Sequence, residues 1–137
     1  MKGSAAPTVF DESIIRPKDP VQILDTKVLN NTTEQFSESV ECQAFRKFGL
    51  FLKMKSTSTP TTIQVKVQFL DRWTGEWHTY KQGLFAALFW EDQDLASGVD
   101  EMFTGDVAGR AMRITLTSVG TTSAAYFTVS ASVEFWN

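Results

Sequence analysis

The chain has 137 residues, 42% of them hydrophobic, which suits one domain with a real core and leaves little for a second. It carries 13 basic and 16 acidic residues, a net charge of −3, with no long run of one sign. That balance argues against nucleic acid or an anionic membrane surface as the main partner, because both need a basic face.

A single cysteine, Cys42, cannot form an internal disulfide. Stability must then come from packing, and synthesis in a reducing cytoplasm is expected. No apolar stretch reaches the roughly 18 residues of a membrane span. The opening residues Met1 to Pro7 have no apolar run behind them, so no signal peptide is read.

Residues 1–20 differ from the rest, with Pro7, Pro17 and Pro20 set among charged residues. Proline fixes φ and removes a backbone donor, so this stretch makes a poor central strand or helix. It reads as an extended N-terminal arm with a short edge strand at Thr8–Ile15. A loose terminus is the alternative.

From Val21 the period becomes two, and residues 21–137 read as one β-sandwich domain. A first strand is expected over Val21–Leu29, followed by a turn at Asn30-Asn31 and a weaker strand over Glu34–Val40. The next run sets Phe48, Leu50, Leu52 and Met54 against Gly49, Phe51, Lys53 and Lys55. After Ser56–Pro60 comes the clearest alternation. Ile63, Val65, Val67 and Phe69 share one face, and Gln64, Lys66 and Gln68 share the other. Thr74-Gly75 reads as a hairpin turn before a strand over Glu76–Lys81. Gln82–Gly98 is the exception: its Leu84–Trp90 run is apolar without clean alternation and reads either as a buried strand or as one helical turn. Strands follow over Asp100–Val107 and Met112–Thr117, with Gly120 closing a hairpin. The last run sets Phe127, Val129, Ala131, Val133 and Phe135 on one face. About eight short strands with turn signals between them predict an all-β, antiparallel β-sandwich of jelly-roll type.

No catalytic constellation stands out. His78 is the one histidine and has no second histidine or nearby cysteine to share a metal, so it reads as a strand-surface residue. A Cys42–His78 nucleophile pair is formally possible, but a buried lone cysteine usually serves as a small hydrophobe. Asp92 and Asp94 alternate within Glu91-Asp92-Gln93-Asp94, yet the rest of a calcium loop is absent and a solvated acidic loop is expected. No glycine-rich phosphate loop occurs. Neither a metal nor a cofactor is implied. Trp73 is the most informative aromatic. It sits in the turn Asp71-Arg72-Trp73-Thr74-Gly75, where core burial is least expected, and marks a contact site.

One stretch is familiar. Val65-Lys66-Val67-Gln68-Phe69-Leu70-Asp71, then Thr74-Gly75-Glu76-Trp77, makes a strand, a turn and a returning strand that begins with tryptophan. Gly109-Arg110-Ala111-Met112-Arg113-Ile114 follows, and then Phe127-Thr128-Val129-Ser130. This order resembles small jelly-roll virion proteins of tailed bacteriophages, over roughly residues 44–137. Arg72-Trp73 stands where those proteins commonly have proline, and Met112 where they have leucine. The resemblance implies a capsid decoration (cement) protein, structural rather than enzymatic. Such a protein is made in the host bacterial cytoplasm and sits on the head surface of the virion. Its implied partner is the major capsid protein, and it is commonly a homo-oligomer, with a trimer expected here. Two alternatives stand beside it. One is a carbohydrate-binding sandwich that stacks sugars on Trp73, Trp77 and Trp90. The other is a neck or tail component of a virion.

The arm is expected to serve assembly rather than folding. Ordering it costs about 1–2 kcal/mol per residue, so it needs good contacts, for which Val9, Phe10, Ile14 and Ile15 are the candidates. Deleting residues 1–18 should leave the melting temperature nearly unchanged and weaken self-association or capsid binding. Collapse of the fold on deletion would make the arm a core strand.

Overall fold

The computed structural model describes residues 19–56, 62–91 and 98–137, with Ala87 described by its backbone alone. The expected arm strand at Thr8–Ile15 and the turn residues from Thr57 to Pro60 lie outside these residues. The described chain is all-β. Its strands are β1 (Val21–Leu29), β2 (Gln35–Phe36), β3 (Val40–Glu41), β4 (Lys47–Ser56), β5 (Thr62–Leu70), β6 (Trp77–Thr79), β7 (Leu88–Glu91), β8 (Val99–Asp106), β9 (Ala111–Val119) and β10 (Phe127–Trp136). One 3-10 helix, Gly83–Ala87, precedes β7.

Two antiparallel sheets form. The first has the order β1-β10-β4-β8. In the second, β9 pairs with β5 on one edge and with the short pieces β2 and β3 on the other. The free edge of β5 is shared end to end by β6, opposite Gln68–Leu70, and β7, opposite Thr62–Val65. The strands β4, β5, β9 and β10 therefore have neighbours on both sides. These are the four runs of clean alternation in the sequence.

The reason is burial on one face only. A strand between two neighbours satisfies its backbone in the sheet and is free to turn alternate side chains to the core. Phe48, Leu50, Leu52 and Met54 of β4 face inward and are buried, as are Phe127, Val129, Ala131 and Val133 of β10. Ile63, Val65, Val67 and Phe69 of β5 meet them from the other sheet, with Met112, Ile114 and Leu116 of β9. This packing of two sheets on one shared core is the β-sandwich expected from the sequence.

Phe48 is the hub of one end of this core. Its ring lies 5.6 Å from Phe69, 5.9 Å from Tyr80 and 5.4 Å from Phe85. Phe85 comes from the 3-10 helix and continues the aromatic chain through Phe103 to Trp90. Gly105 pairs with Phe48 across β8 and β4, and a Cβ there would stand 2.9 Å from the Phe48 ring. A side chain at 105 would displace the hub.

The segment left open in the sequence resolves into both alternatives in turn. The 3-10 helix delivers Phe85 to the core, and β7 then buries Leu88 and Trp90. Three residues per turn followed by two leaves no single period to read. The expected hairpin at Gly120 is corrected. β9 and β10 lie in different sheets, so the loop crosses the sandwich instead of folding back. A buried hydroxyl pair, Ser118 and Thr121 at 2.9 Å, fixes that crossing, and Ser118 also donates to the Asn31 carbonyl.

The register generates a sharp contrast. Val67 is wholly buried, while its neighbour Lys66 lies on the outer face and is half-buried. Val67→Asp should unfold the domain, because a buried unpaired carboxylate costs several kcal/mol, roughly the whole stability margin. Lys66→Asp should change stability by about 0.5 kcal/mol. Denaturant melts of the two variants check this, and equal midpoints would contradict the register.

Candidate functional site

The β5–β6 hairpin ends in a tight tip. The Asp71 backbone N–H donates to the Glu76 carbonyl at 2.8 Å, and Gly75 N–H donates to the Asp71 carbonyl at 2.9 Å. The Asp71 side chain locks the turn from inside. Its Oδ1 accepts the Trp73 N–H at 2.7 Å and the Thr74 N–H at 3.4 Å. This is the aspartate turn chemistry that the sequence Asp71-Arg72-Trp73-Thr74-Gly75 offers. Bonding to Trp73 N–H holds the Asp71 carboxyl below its ordinary 3.8, with smaller help from Thr74 and from His78. His78 Nε2 stands 3.7 Å from Asp71 Oδ2.

The result is a rigid tip with Trp73 at 89% exposure, as the sequence expected of a turn tryptophan. Beside it lies an open groove of about 610 Å³, in the size range of small-molecule sites. Trp73, His78, Tyr80, Gln43 and Phe45 line it. Its floor is fixed by a close approach. A Cβ on Gly109 would stand 2.7 Å from the Leu70 carbonyl oxygen, and Arg110 N–H bonds that same carbonyl at 3.0 Å. The β8–β9 loop is thereby sealed onto the end of β5.

The other candidates fare differently. Val9, Phe10, Ile14 and Ile15 lie outside the described residues. His78 is on the surface, its side chain 60% exposed. Cys42 is fully buried, and burial, with Glu41 beside it, pushes its thiol up to about 12. At neutral pH it is a thiol and not a thiolate, which removes the activated nucleophile that a cysteine–histidine pair requires. Among the described residues no three histidine, cysteine, aspartate or glutamate side chains come together to hold a metal. Asp92 and Asp94 lie outside those residues. No described helix is long and apolar enough to cross a membrane.

The three-tryptophan platform is not assembled. Trp90 is 9% exposed and packs on Phe103, while the ring of Trp77 is stacked by the Arg113 guanidinium at 4.3 Å. Arg113 is the residue that the sequence does not announce. Its only signal was an arginine on the outer face of a strong strand, which alternation alone assigns to solvent. No protein-family model matches the chain, and no curated protein matches its sequence.

Protonating Asp71 removes the acceptor that holds the tip. Its folded pKa is depressed, so the stabilisation is complete above the ordinary carboxylate range and is lost as pH falls through the folded value. The amide resonances of Trp73 and Thr74 should titrate together with a midpoint below 3.8, and Asp71→Asn should abolish that titration. A midpoint at or above 3.8 would contradict the role given to Asp71.

Proposed function

We propose that this chain is a structural virion protein, a decoration subunit that binds the major capsid protein on the head surface and acts as a trimer. The observation that carries the reading is Trp73, held bare at a pinned hairpin tip. A large aromatic with its backbone already ordered loses little entropy on docking, and tryptophan is the commonest kind of interface anchor. Strand order adds support for the jelly-roll reading. When β2 with β3 and β6 with β7 each count as one interrupted strand, the chain interleaves its sheets as two Greek keys do. The same grouping is what the resemblance to phage virion proteins implies.

The chemistry of the core points the same way. The lone cysteine is a buried thiol, and the histidine sits at the surface beside a carboxylate that is already committed to the turn. The carbohydrate reading loses support, because Trp90 is in the core and Trp77 is covered.

Undecorated heads of the encoding virus should co-sediment the purified protein. Trp73→Ala should weaken that binding about 30-fold, the effect of a 2 kcal/mol anchor, without moving the melting temperature. The mass in solution should be three times the 15.3 kDa of the chain. Absence of binding by the folded wild-type protein would overturn the reading.

A further inference from the structure

A second feature lies on the outer face of the sheet that carries the hairpin, centred on β9. Arg113 of β9 is stacked on both sides, its Cζ 4.4 Å from the centre of the Phe36 ring and 4.3 Å from that of Trp77. Its Nε donates to Gln68 Oε1 at 2.9 Å, so the plane of the guanidinium is fixed. The register builds this arrangement. Gln68 pairs with Arg113, Leu70 with Trp77, and Phe36 with Thr115.

What is missing among the described residues is a direct ion pair. The salt bridges among the described residues are Lys47–Asp106, His78–Asp71 and Arg110–Glu41, none of which involves Arg113. Glu34 acts on it only through space, and desolvation holds its pKa below the ordinary guanidinium value. Its two terminal amino groups have no hydrogen-bond partner among the described residues. A guanidinium held between two rings, with Nε bonded and its terminal amino groups facing outward, offers that edge to a polar group that arrives from outside.

We propose that this face is a second docking surface, on which Arg113 takes a carboxylate from an acidic segment of a protein partner. A guanidinium with Nε occupied still presents its terminal amino groups, which match the two oxygens of a carboxylate. Its rotamer is already fixed by two rings and Gln68, so little entropy remains to be lost when the carboxylate arrives. Phe36, 48% exposed, and the half-buried Trp77 supply apolar walls that exclude water from the pair. Arginine between aromatics is also the composition of an interface anchor cluster. The surface is distinct from Trp73 and stands or falls separately from it.

The test titrates the full-length protein at low salt with capped tri-glutamate, with capped tri-lysine and with sodium acetate. The readout is the Arg113 side-chain Nε–H NMR resonance, so the wild-type protein alone decides the first question. Tri-glutamate should shift that resonance saturably, tri-lysine should not, and acetate should need at least about tenfold higher concentration. Arg113→Gln should weaken tri-glutamate binding about 10- to 100-fold, the loss of one charge-assisted hydrogen-bonded contact. Trp73→Ala should leave it unchanged. No shift at millimolar tri-glutamate would overturn the proposal. So would acetate saturating at the same concentration, since that leaves only a site for small carboxylates. Unaltered binding by folded Arg113→Gln would overturn it too.

Discussion

The closure of two sheets over the Phe48 ring is the contact on which the rest of the structure depends. Phe48 belongs to β4 in the first sheet, and the rings it meets, Phe69 and Tyr80, come from β5 and from the residue just after β6 in the second. Phe85 joins them from the 3-10 helix. One side chain thus ties both sheets and the irregular connection together. It is also why the hairpin tip is positioned. β5 and β6 are anchored at Phe69 and Tyr80, only a few residues from Trp73, so the tip cannot swing without disturbing the core. Edge-to-face rings of this kind add about 0.5–1.5 kcal/mol per pair beyond their burial.

The sequence was most legible where a strand had neighbours on both sides. β4, β5, β9 and β10 show strict alternation because both edges are committed and only the two faces differ. The edge strands are harder to read. β1 was located correctly over Val21–Leu29, although its pairing with β10 slips twice and Thr26 adopts φ +49°. β2 and β3 were merged into one expected strand over Glu34–Val40, because the break at Ser37 is set by a tertiary contact. Ser37 N–H bonds the Ile114 carbonyl, and its hydroxyl accepts from Ile114 N–H. No local pattern announces that exchange. At Gly120 the turn itself was legible, but its direction was not. A turn former says that the chain bends, whereas the sheet that receives the next strand is chosen by core packing.

The candidate surfaces divide in the same way. Trp73 was legible because a large aromatic in a turn has no inward direction to take. Arg113 was not, because its significance arises from residues 36, 68 and 77 meeting across three strand pairings. Periodicity sees one strand at a time. A cluster assembled by register is invisible until the register is known. The two surfaces are nonetheless linked, since Trp73 caps the hairpin whose second strand carries Trp77. A pinned β5–β6 hairpin therefore holds an exposed indole at its tip and, on its flank, one of the two rings that stack on Arg113.

The sheet edges bear on which surfaces are left open. An exposed edge invites strand addition unless it is short, bulged or charged. Here β1 is broken by two register shifts, and β2, β3, β6 and β7 are each no longer than four residues. Among the described residues the one long straight edge is β8, and it carries exposed Asp100, Glu101 and Asp106. Glu101 is the telling residue. It pairs with inward-facing Leu52, so alternation would place an apolar side chain there, yet it is a charged, exposed residue at the rim. A carboxylate at such a position repels an incoming strand more than it helps the core. With these backbone edges blunted, the sandwich presents side chains on fixed geometry rather than free strand edges. An exposed tryptophan at the β5–β6 tip and a stacked arginine on the neighbouring β9 are two side chains held in that way.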